Sequence, residues 1–119
     1  MSLLTLRNLR LQGQRPSDVI TVFIGSRPKW KEDGPALIVM PADAQPGLMD
    51  FRPLVGLWVA LVTADDSYEL AAKTMTAIKD AGAKFFGAAF PCGTYPCIQN
   101  PTPEHHRVLR ETRELLCQS

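Results

Sequence analysis

Two adjacent carboxylates, Asp65 and Asp66, follow an apolar run that ends at Thr63. Neighbouring carboxylates at a strand end are common ligands of Mg²⁺, because hard cations prefer oxygen donors. Asp66 has a second explanation, since Glu69 three residues later completes a capping-box pattern at the start of a helix. Asp65 is then a solvated loop residue stabilised by the dipole of the same helix. The pair therefore has two interpretations, a cation site or a helix start.

Two cysteines and two histidines, Cys92, Cys97, His105 and His106, follow in "PCGTYPCIQNPTPEHH". They are zinc ligands by type, but their spacing is not that of structural zinc sites. Consecutive helical residues point about 100° apart, so the two histidines are badly placed to bind one ion. A nucleophilic pair of Cys92 with either histidine also needs an orienting group and an oxyanion donor. The loop sequence does not identify residues for either role. We expect Cys92 to be a half-buried thiol, His105 to lie at the core edge, His106 to face outward, and no cofactor to be bound.

A basic segment with one aromatic residue contains Arg27, Lys29, Trp30 and Lys31. Such a mixture can stack on a base or bind phosphates. Exposed tryptophan and arginine are also typical anchors of protein interfaces. The acidic pair that follows at 32–33 cancels much of the positive charge, so the segment favours a protein contact over nucleic acid.

Strands are predicted at 19–25, 36–41, 57–63 and 83–90, where apolar and β-branched residues are concentrated. The first two are continuous apolar runs, typical of strands that are covered on both faces. The segment between them, "SRPKWKEDGP", is too short for an ordinary helical crossover, which predicts an antiparallel, hairpin-like pair. Its prolines and glycine also leave no room for the helix that a phosphate-binding loop after Gly25 requires. Residues 42–56 are predicted to be an irregular link with at most one helical turn.

A helix from about Ser67 to Ala81 joins the third and fourth predicted strands, and Gly82 is placed to end it. Its predicted packing face is a stripe at helical spacing: Tyr68, Ala71, Ala72, Met75 and Ile78. Strand, helix and strand in succession predict a right-handed βαβ unit with two parallel strands. Ligands of open α/β sheets collect beyond the carboxyl ends of such strands. The candidate ligand-binding residues at this rim are Asp65, Asp66, Ser67, Cys92, Thr94 and Tyr95.

The ends of the chain are predicted to be helical. A short helix is predicted within residues 1–13, between Ser2 and Gly13. A final helix begins after Thr102 as N-cap, with Pro103 at its first position, and carries an apolar stripe at Val108, Leu109, Leu115 and Leu116. The segment "PCGTYPCIQNPTP" before it is predicted to be a rigid loop. The fold class is therefore α/β: one small domain, 1–119, with a mixed sheet of about four strands and the C-terminal helix packed on it.

Composition narrows the function classes. The 119 residues have a formal net charge of only +1, whereas a general nucleic-acid binder normally carries a strong basic excess. No apolar stretch approaches the ~20 residues of a membrane helix, and the first residues lack the apolar core of a signal peptide. Three cysteines are too few for a disulfide scaffold, with a Cys92–Cys97 bridge left open under oxidising conditions. These features predict a cytoplasmic protein with no membrane partner.

The stretch 53–91 resembles the second half of a Toprim domain, the metal-dependent fold of primases and topoisomerases. In that family a strand ends in an Asp-x-Asp motif, a helix follows, and another strand closes the unit. The resemblance covers about a third of the chain and implies that the site of such an enzyme would lie at the Asp65–Asp66 loop. Here the two aspartates are adjacent, the glycine usual soon after the motif is absent, and Ile24-Gly25 stands where the family carries a catalytic glutamate. No catalytic residue is therefore transferred from the family.

Two functions from different classes are consistent with these residues. The first is a non-catalytic protein-interaction or regulatory module that binds a protein partner or a second copy of itself. It is favoured by the near-neutral charge and by the lack of a complete catalytic constellation. The alternative is a small metal- or nucleotide-dependent phosphotransfer or hydrolytic enzyme with its site at Asp65–Asp66. A DNA-binding accessory role would need a basic face that the net charge conceals.

Overall fold

The computed structural model describes residues 19–25, 37–40, 43, 45–65 and 67–117. These residues form a small α/β domain, which confirms the predicted fold class. The strands are β1 (Ile20–Ile24), β2 (Leu37–Met40), β3 (Trp58–Thr63), β4 (Lys84–Phe90) and β5 (Gly93–Pro96). The helices are α1 (Tyr68–Asp80) and α2 (Pro103–Cys117), and two 3-10 turns, Pro46–Leu48 and Arg52–Leu54, precede β3. The helix predicted within 1–13 lies outside the described residues.

The five strands form one mixed sheet in the order β2-β1-β3-β4-β5. The first four strands in this order run parallel, and β5 pairs antiparallel with β4. The predicted parallel pair is confirmed, because β3 and β4 are neighbours joined through α1.

The prediction that the first two strands form an antiparallel hairpin is wrong. β1 and β2 are parallel, with Val22 opposite Ile38. β1 ends at Ile24 and β2 begins at Leu37, so residues 25–36 connect them (36 − 24 = 12). Twelve residues reach the lower limit for a crossover between parallel strands. Every residue of β1 is buried, which is the pattern of a central parallel strand.

The sheet has one strand more than predicted. β5 lies in the segment that was expected to be a rigid loop, and its four residues include Pro96. A proline is tolerated there because β5 is an edge strand of the described sheet, with no neighbour that needs the missing N–H. The link before β3 also differs from the prediction, since it forms two short turns rather than at most one.

The core has two halves, one on each face of the sheet. Alternate residues of β1 point to opposite faces, so that Ile20 and Val22 pack with Leu54 and Ile78 on the face of α1. Phe23 packs with Leu109 and other apolar residues on the face of α2. The predicted apolar stripe of the last helix is thus buried at Leu109 and Leu116. No helix within the described ranges is both long and apolar enough to cross a membrane.

The packing face of α1 is rotated from the predicted stripe. Its buried residues are Ala71, Thr74 and Ile78, whereas Tyr68 and Ala72 are exposed. Thr74 tolerates burial because its hydroxyl donates a hydrogen bond of 2.8 Å to the Leu70 carbonyl oxygen. Tyr68, in the first turn, consequently lies exposed at the edge of the sheet where β3 ends.

Candidate functional site

The loop after β3 and the turn after β4 lie at the same edge of the sheet. Val62 pairs with Ala89 in the parallel register, so both strands reach this edge together. Asp65 follows β3 by two residues, and Cys92 follows β4 by two residues. The proximity that the sequence predicted for these two loops is therefore present in the fold.

Cys92 lies between the side chains of two tyrosines. Its Sγ is 2.9 Å from the Tyr68 hydroxyl oxygen and 3.4 Å from the Tyr95 hydroxyl oxygen. The hydrogen bond with Cys92 raises the pKa of Tyr95, and the charge of the Cys92 thiolate acts in the same direction. The thiol is exposed rather than half-buried as predicted. One sulfur atom thus joins the start of α1 to β5.

The rings of both tyrosines pack against Phe90, the last residue of β4. The ring centroids of Tyr68 and Phe90 are 4.7 Å apart with an interplanar angle of 37°. Those of Phe90 and Tyr95 are 5.8 Å apart in an edge arrangement of 67°. Tyr68 is 47% exposed and Tyr95 is 50% exposed. We refer to Tyr68, Phe90, Cys92 and Tyr95 as the aromatic rim.

Sequence reasoning placed Cys92 and Tyr95 at this edge but missed Tyr68 and Phe90. Helical spacing alone predicts that Tyr68 lies on the buried face of the helix. A second signal was available, because the first helical residue after a parallel strand must lie near the carboxyl edge of the sheet. The apolar pattern predicts only that Phe90 belongs to a strand, although the last position of the strand borders the same edge.

Asp65 and Ser67 interact with each other in the loop after β3. The Ser67 hydroxyl donates to Asp65 Oδ1. Ser67 is the N-cap residue of α1, yet its side chain makes no capping hydrogen bond to the helix. The capping box predicted for Asp66 and Glu69 is wrong, because the helix starts one residue later, with Ser67 as N-cap and Leu70 as its third residue. Asp66 lies outside the described residues, so its metal-binding interpretation stays a prediction. Within the described ranges, no group of three or more His, Cys, Asp or Glu side chains is arranged to hold a metal ion.

Thr94 belongs to the predicted rim by sequence but points to the opposite side of the sheet. Its Oγ1 is 2.9 Å from Nδ1 of His106 on α2. His106 therefore faces β5, and the prediction that it faces outward is wrong. His105 packs its ring edge-to-face on Phe86, with the centroids 5.7 Å apart, as expected of a core-edge residue. Its Nδ1 also accepts a hydrogen bond of 3.0 Å from the Thr102 N–H, which closes the first turn of α2.

Cys92 and Cys97 lie at opposite ends of β5 and do not form a disulfide. Five extended residue steps of ~3.3 Å separate their Cα atoms by roughly 16 Å. A disulfide needs Cα atoms within about 7 Å of each other. A bridge between these two cysteines would therefore require β5 to leave the sheet.

The order of the strands reverses between β1 and β3, and their ends meet tightly at Gly25 and Ala64. The Ala64 N–H donates to the Ile24 carbonyl oxygen at 3.1 Å, and the Gly25 N–H donates to the Met40 carbonyl oxygen at 2.9 Å. A Cβ atom on Gly25 would lie 2.9 Å from the Phe23 ring and 3.0 Å from Ala64 Cβ. The close packing of three strand ends thus explains why position 25 carries a glycine, which has no side chain. In open α/β sheets, such a reversal is where a ligand crevice forms.

The basic segment with Arg27, Lys29, Trp30 and Lys31 lies outside the described residues, and its role as a partner surface stays a prediction.

Comparisons of the chain with protein-family models, curated proteins and solved structures find no match. The resemblance of residues 53–91 to a Toprim domain therefore rests on the sequence pattern alone.

Proposed function

We propose that this chain is a non-catalytic module that binds a protein partner through the aromatic rim. The observation that carries the proposal is the packed series Tyr68–Phe90–Tyr95, whose two tyrosines are each about half exposed. Tyrosine is enriched in protein interfaces because it offers a large contact area with few rotatable bonds and a polar tip. It is also frequent among the residues that contribute most binding energy.

The aromatic rim is also held in place before any partner arrives. Tyr68, Phe90 and Tyr95 come from α1, β4 and β5, and their rings contact one another. Cys92 additionally contacts both tyrosine hydroxyls. Immobilising a side chain on binding costs about 0.5–1.5 kcal/mol, so a surface that is already ordered binds with a smaller entropic cost.

The partner is a different protein or a second copy of this chain, in the cytoplasm. Exposed thiols at Cys92 and Cys97 suit a reducing compartment. A formal net charge of +1 gives nucleic acid little general attraction. The basic segment around Trp30 is a second candidate contact surface in the same proposal.

Affinity capture with matched variants tests the proposal. The bait proteins are the wild type, the double variant Tyr68→Ala/Tyr95→Ala, and the control Val55→Ala. Val55 is 61% exposed but precedes β3, at the opposite end of that strand from the aromatic rim. We expect the same specific protein, or a second copy of the chain, to be retained by wild type and control and lost from the double variant. Retention of an unchanged set of proteins by all three baits would refute the proposal.

A second candidate function is metal- or nucleotide-dependent phosphotransfer or hydrolysis at Asp65–Asp66. It is favoured by the position of Asp65 at the end of β3, beside the reversal in strand order. A thermal-shift series with Mg²⁺, Mn²⁺ and adenine or guanine nucleotides tests it. Saturating ligand at about 100 times Kd stabilises a native protein by about 2.7 kcal/mol. A rise in the melting temperature that Asp65→Asn abolishes would support this candidate, and equal melting with and without ligand would count against it.

A further inference from the structure

We propose that Thr94 and His106 are positioning residues of the aromatic rim, which hold Tyr95 in place from the opposite face of β5. This inference rests on the proposed function and adds two residues that act on the partner only through Tyr95. It follows from the alternation of side chains along β5 and from the contacts of the first turns of α2.

β5 directs neighbouring side chains to opposite faces of the sheet. Thr94 points to α2, where its Oγ1 is 2.9 Å from His106 Nδ1. Tyr95 points to the other face, where its hydroxyl oxygen is 3.4 Å from Cys92 Sγ and its ring packs edge-to-face on Phe90. A movement of the β5 backbone at Thr94 therefore moves Tyr95 as well.

The first turns of α2 are fixed to the sheet on both sides of His106. His105 packs edge-to-face on Phe86, with the ring centroids 5.7 Å apart. Leu109 is fully buried, and its Cδ1 would lie 3.1 Å from a Cβ atom at Gly87. His106 is thus held between two contacts of α2 with β4 and provides a fixed hydrogen-bonding partner for β5.

The backbone pairing of β5 is limited, which increases the weight of the bond between Thr94 and His106. β5 has four residues, and the last of them, Pro96, has no N–H to donate. Among the described strands, β5 pairs only with β4. Thr94 and His106 are both half-buried, so water competes less for their hydrogen bond than for an exposed one. We therefore expect loss of this bond to open β5 more often.

Substitutions at these two positions test the inference in the unbound full chain. Thr94→Val removes the hydroxyl but keeps a β-branched side chain that favours strands, so loosening of β5 reports on the lost bond. Thr94→Ser is the matched control, because it keeps the hydroxyl. His106→Ala removes the ring, whereas His106→Asn keeps an amide that can bond to Thr94 from nearly the position of Nδ1.

NMR follows the position of Tyr95 and the opening of β5. We expect Thr94→Val and His106→Ala to weaken the NOE between the rings of Tyr95 and Phe90. The raised pKa of Tyr95 should move towards its ordinary value of 10.0, as the contact with Cys92 is lost. Exchange of the β5 amides should accelerate about two- to tenfold, the effect of one hydrogen bond. Thr94→Ser and His106→Asn should behave as the wild type does.

The double variant Thr94→Val/His106→Ala distinguishes one shared bond from two separate effects. If both residues act through the same hydrogen bond, the double variant should accelerate exchange no further than His106→Ala alone. Accelerations that multiply in the double variant would overturn the inference. Unchanged Tyr95 signals in Thr94→Val, or equal changes in Thr94→Val and Thr94→Ser, would overturn it as well.

The capture experiment connects this positioning to binding. A protein that is lost from the double tyrosine variant should be retained by Thr94→Ser and retained more weakly by Thr94→Val. Equal retention by these two threonine variants would overturn the role of Thr94 in binding. If the double tyrosine variant retains an unchanged set of proteins, the proposed function fails, while the NMR signals still decide whether Thr94 and His106 position Tyr95.

Discussion

Cys92 connects the two tyrosine hydroxyls of the aromatic rim through one sulfur atom. Tyr68 opens α1 and Tyr95 lies in β5, so this contact joins a helix start to an edge strand. The tyrosine rings carry the exposed surface, while the thiol orients their polar tips. A hydroxyl that donates to sulfur becomes a weaker acid, because its ionised form loses the hydrogen bond and faces a second negative charge.

Replacing Cys92 should therefore lower the pKa of Tyr95. In Cys92→Ala the hydrogen bond and the thiolate charge are both absent, and the raised pKa should fall towards its ordinary value of 10.0. The chain has only two tyrosines, so an ultraviolet absorbance titration follows them without a crowded background. Cys97→Ala is the control, since Cys97 Sγ donates to the Tyr95 backbone oxygen rather than interacting with its hydroxyl. Identical tyrosine titrations of wild type and Cys92→Ala would show that the thiol does not govern Tyr95.

A second residue-scale prediction concerns Asp50, whose carboxylate accepts hydrogen bonds from Arg52 Nε at 2.8 Å and Nη2 at 2.9 Å. The side-chain hydrogen bond, a further bond from the Arg52 N–H and the guanidinium charge lower its pKa from 3.8 to about 2. Since the folded-state pKa is the lower one, the stability from this pair is complete above pH 3.8 and is lost as the pH falls towards 2.

Carboxyl-carbon NMR titration of Asp50 measures this shift directly. We expect a midpoint near pH 2 in the wild type and a midpoint close to the ordinary 3.8 in Arg52→Gln. Both side chains are largely exposed, so the variant should change the titration far more than the overall stability. A wild-type midpoint at the ordinary value would mean that the ion pair does not persist in solution.

At the scale of elements, a bulge in β4 determines which residues reach the aromatic rim. Val59 pairs with Phe85 but Ala60 pairs with Gly87, so Phe86 is an extra residue in β4. Phe85 and Ala88 consequently pack on the face of α1, although strict alternation would place them on opposite faces. The same shift brings Phe90 to the face of α1, where it meets Tyr68.

Gly87→Ala tests this arrangement. A Cβ at position 87 would lie 2.7 Å from the Tyr95 carbonyl oxygen and 2.8 Å from Pro96 Cα, in a backbone with φ of +155°. Because the obstacle is the backbone of β5, we expect a loss of about 1–3 kcal/mol in the free energy of unfolding, measured by urea denaturation. Gly47→Ala is the matched control, since nothing lies within 4 Å of its Cβ position. A Gly87→Ala variant as stable as Gly47→Ala would show that β4 and β5 separate easily.

For the whole molecule, the sequence predicted the α/β class and the carboxyl edge because both follow from local patterns. The apolar runs and the amphipathic helix can be recognised within windows of about ten residues. The direction of β2 cannot be recognised in this way, because it depends on whether a twelve-residue connection crosses the sheet or turns back. The short connection predicted an antiparallel pair, whereas strands covered on both faces are typical of a parallel sheet. The burial pattern gave the correct direction of β2. The bulge at Phe86 and the ring packing of Phe90 arise only from strand pairing, which no single segment encodes.

The sheet order also predicts how stability is distributed. β1 and β3 are paired on both sides and wholly or almost wholly buried, whereas β5 pairs only with β4 among the described strands and is half exposed. Backbone amides in such edge strands exchange through local opening, while those of central strands need global unfolding. Hydrogen exchange followed by NMR should therefore give the slowest rates in β1 and β3 and faster rates at Gly93, Thr94 and Tyr95. Because β5 carries Tyr95, a bound partner should slow exchange in β5 and leave β1 unchanged. Equal protection of β5 and β3 in the unbound chain would mean that another part of the protein already covers this edge.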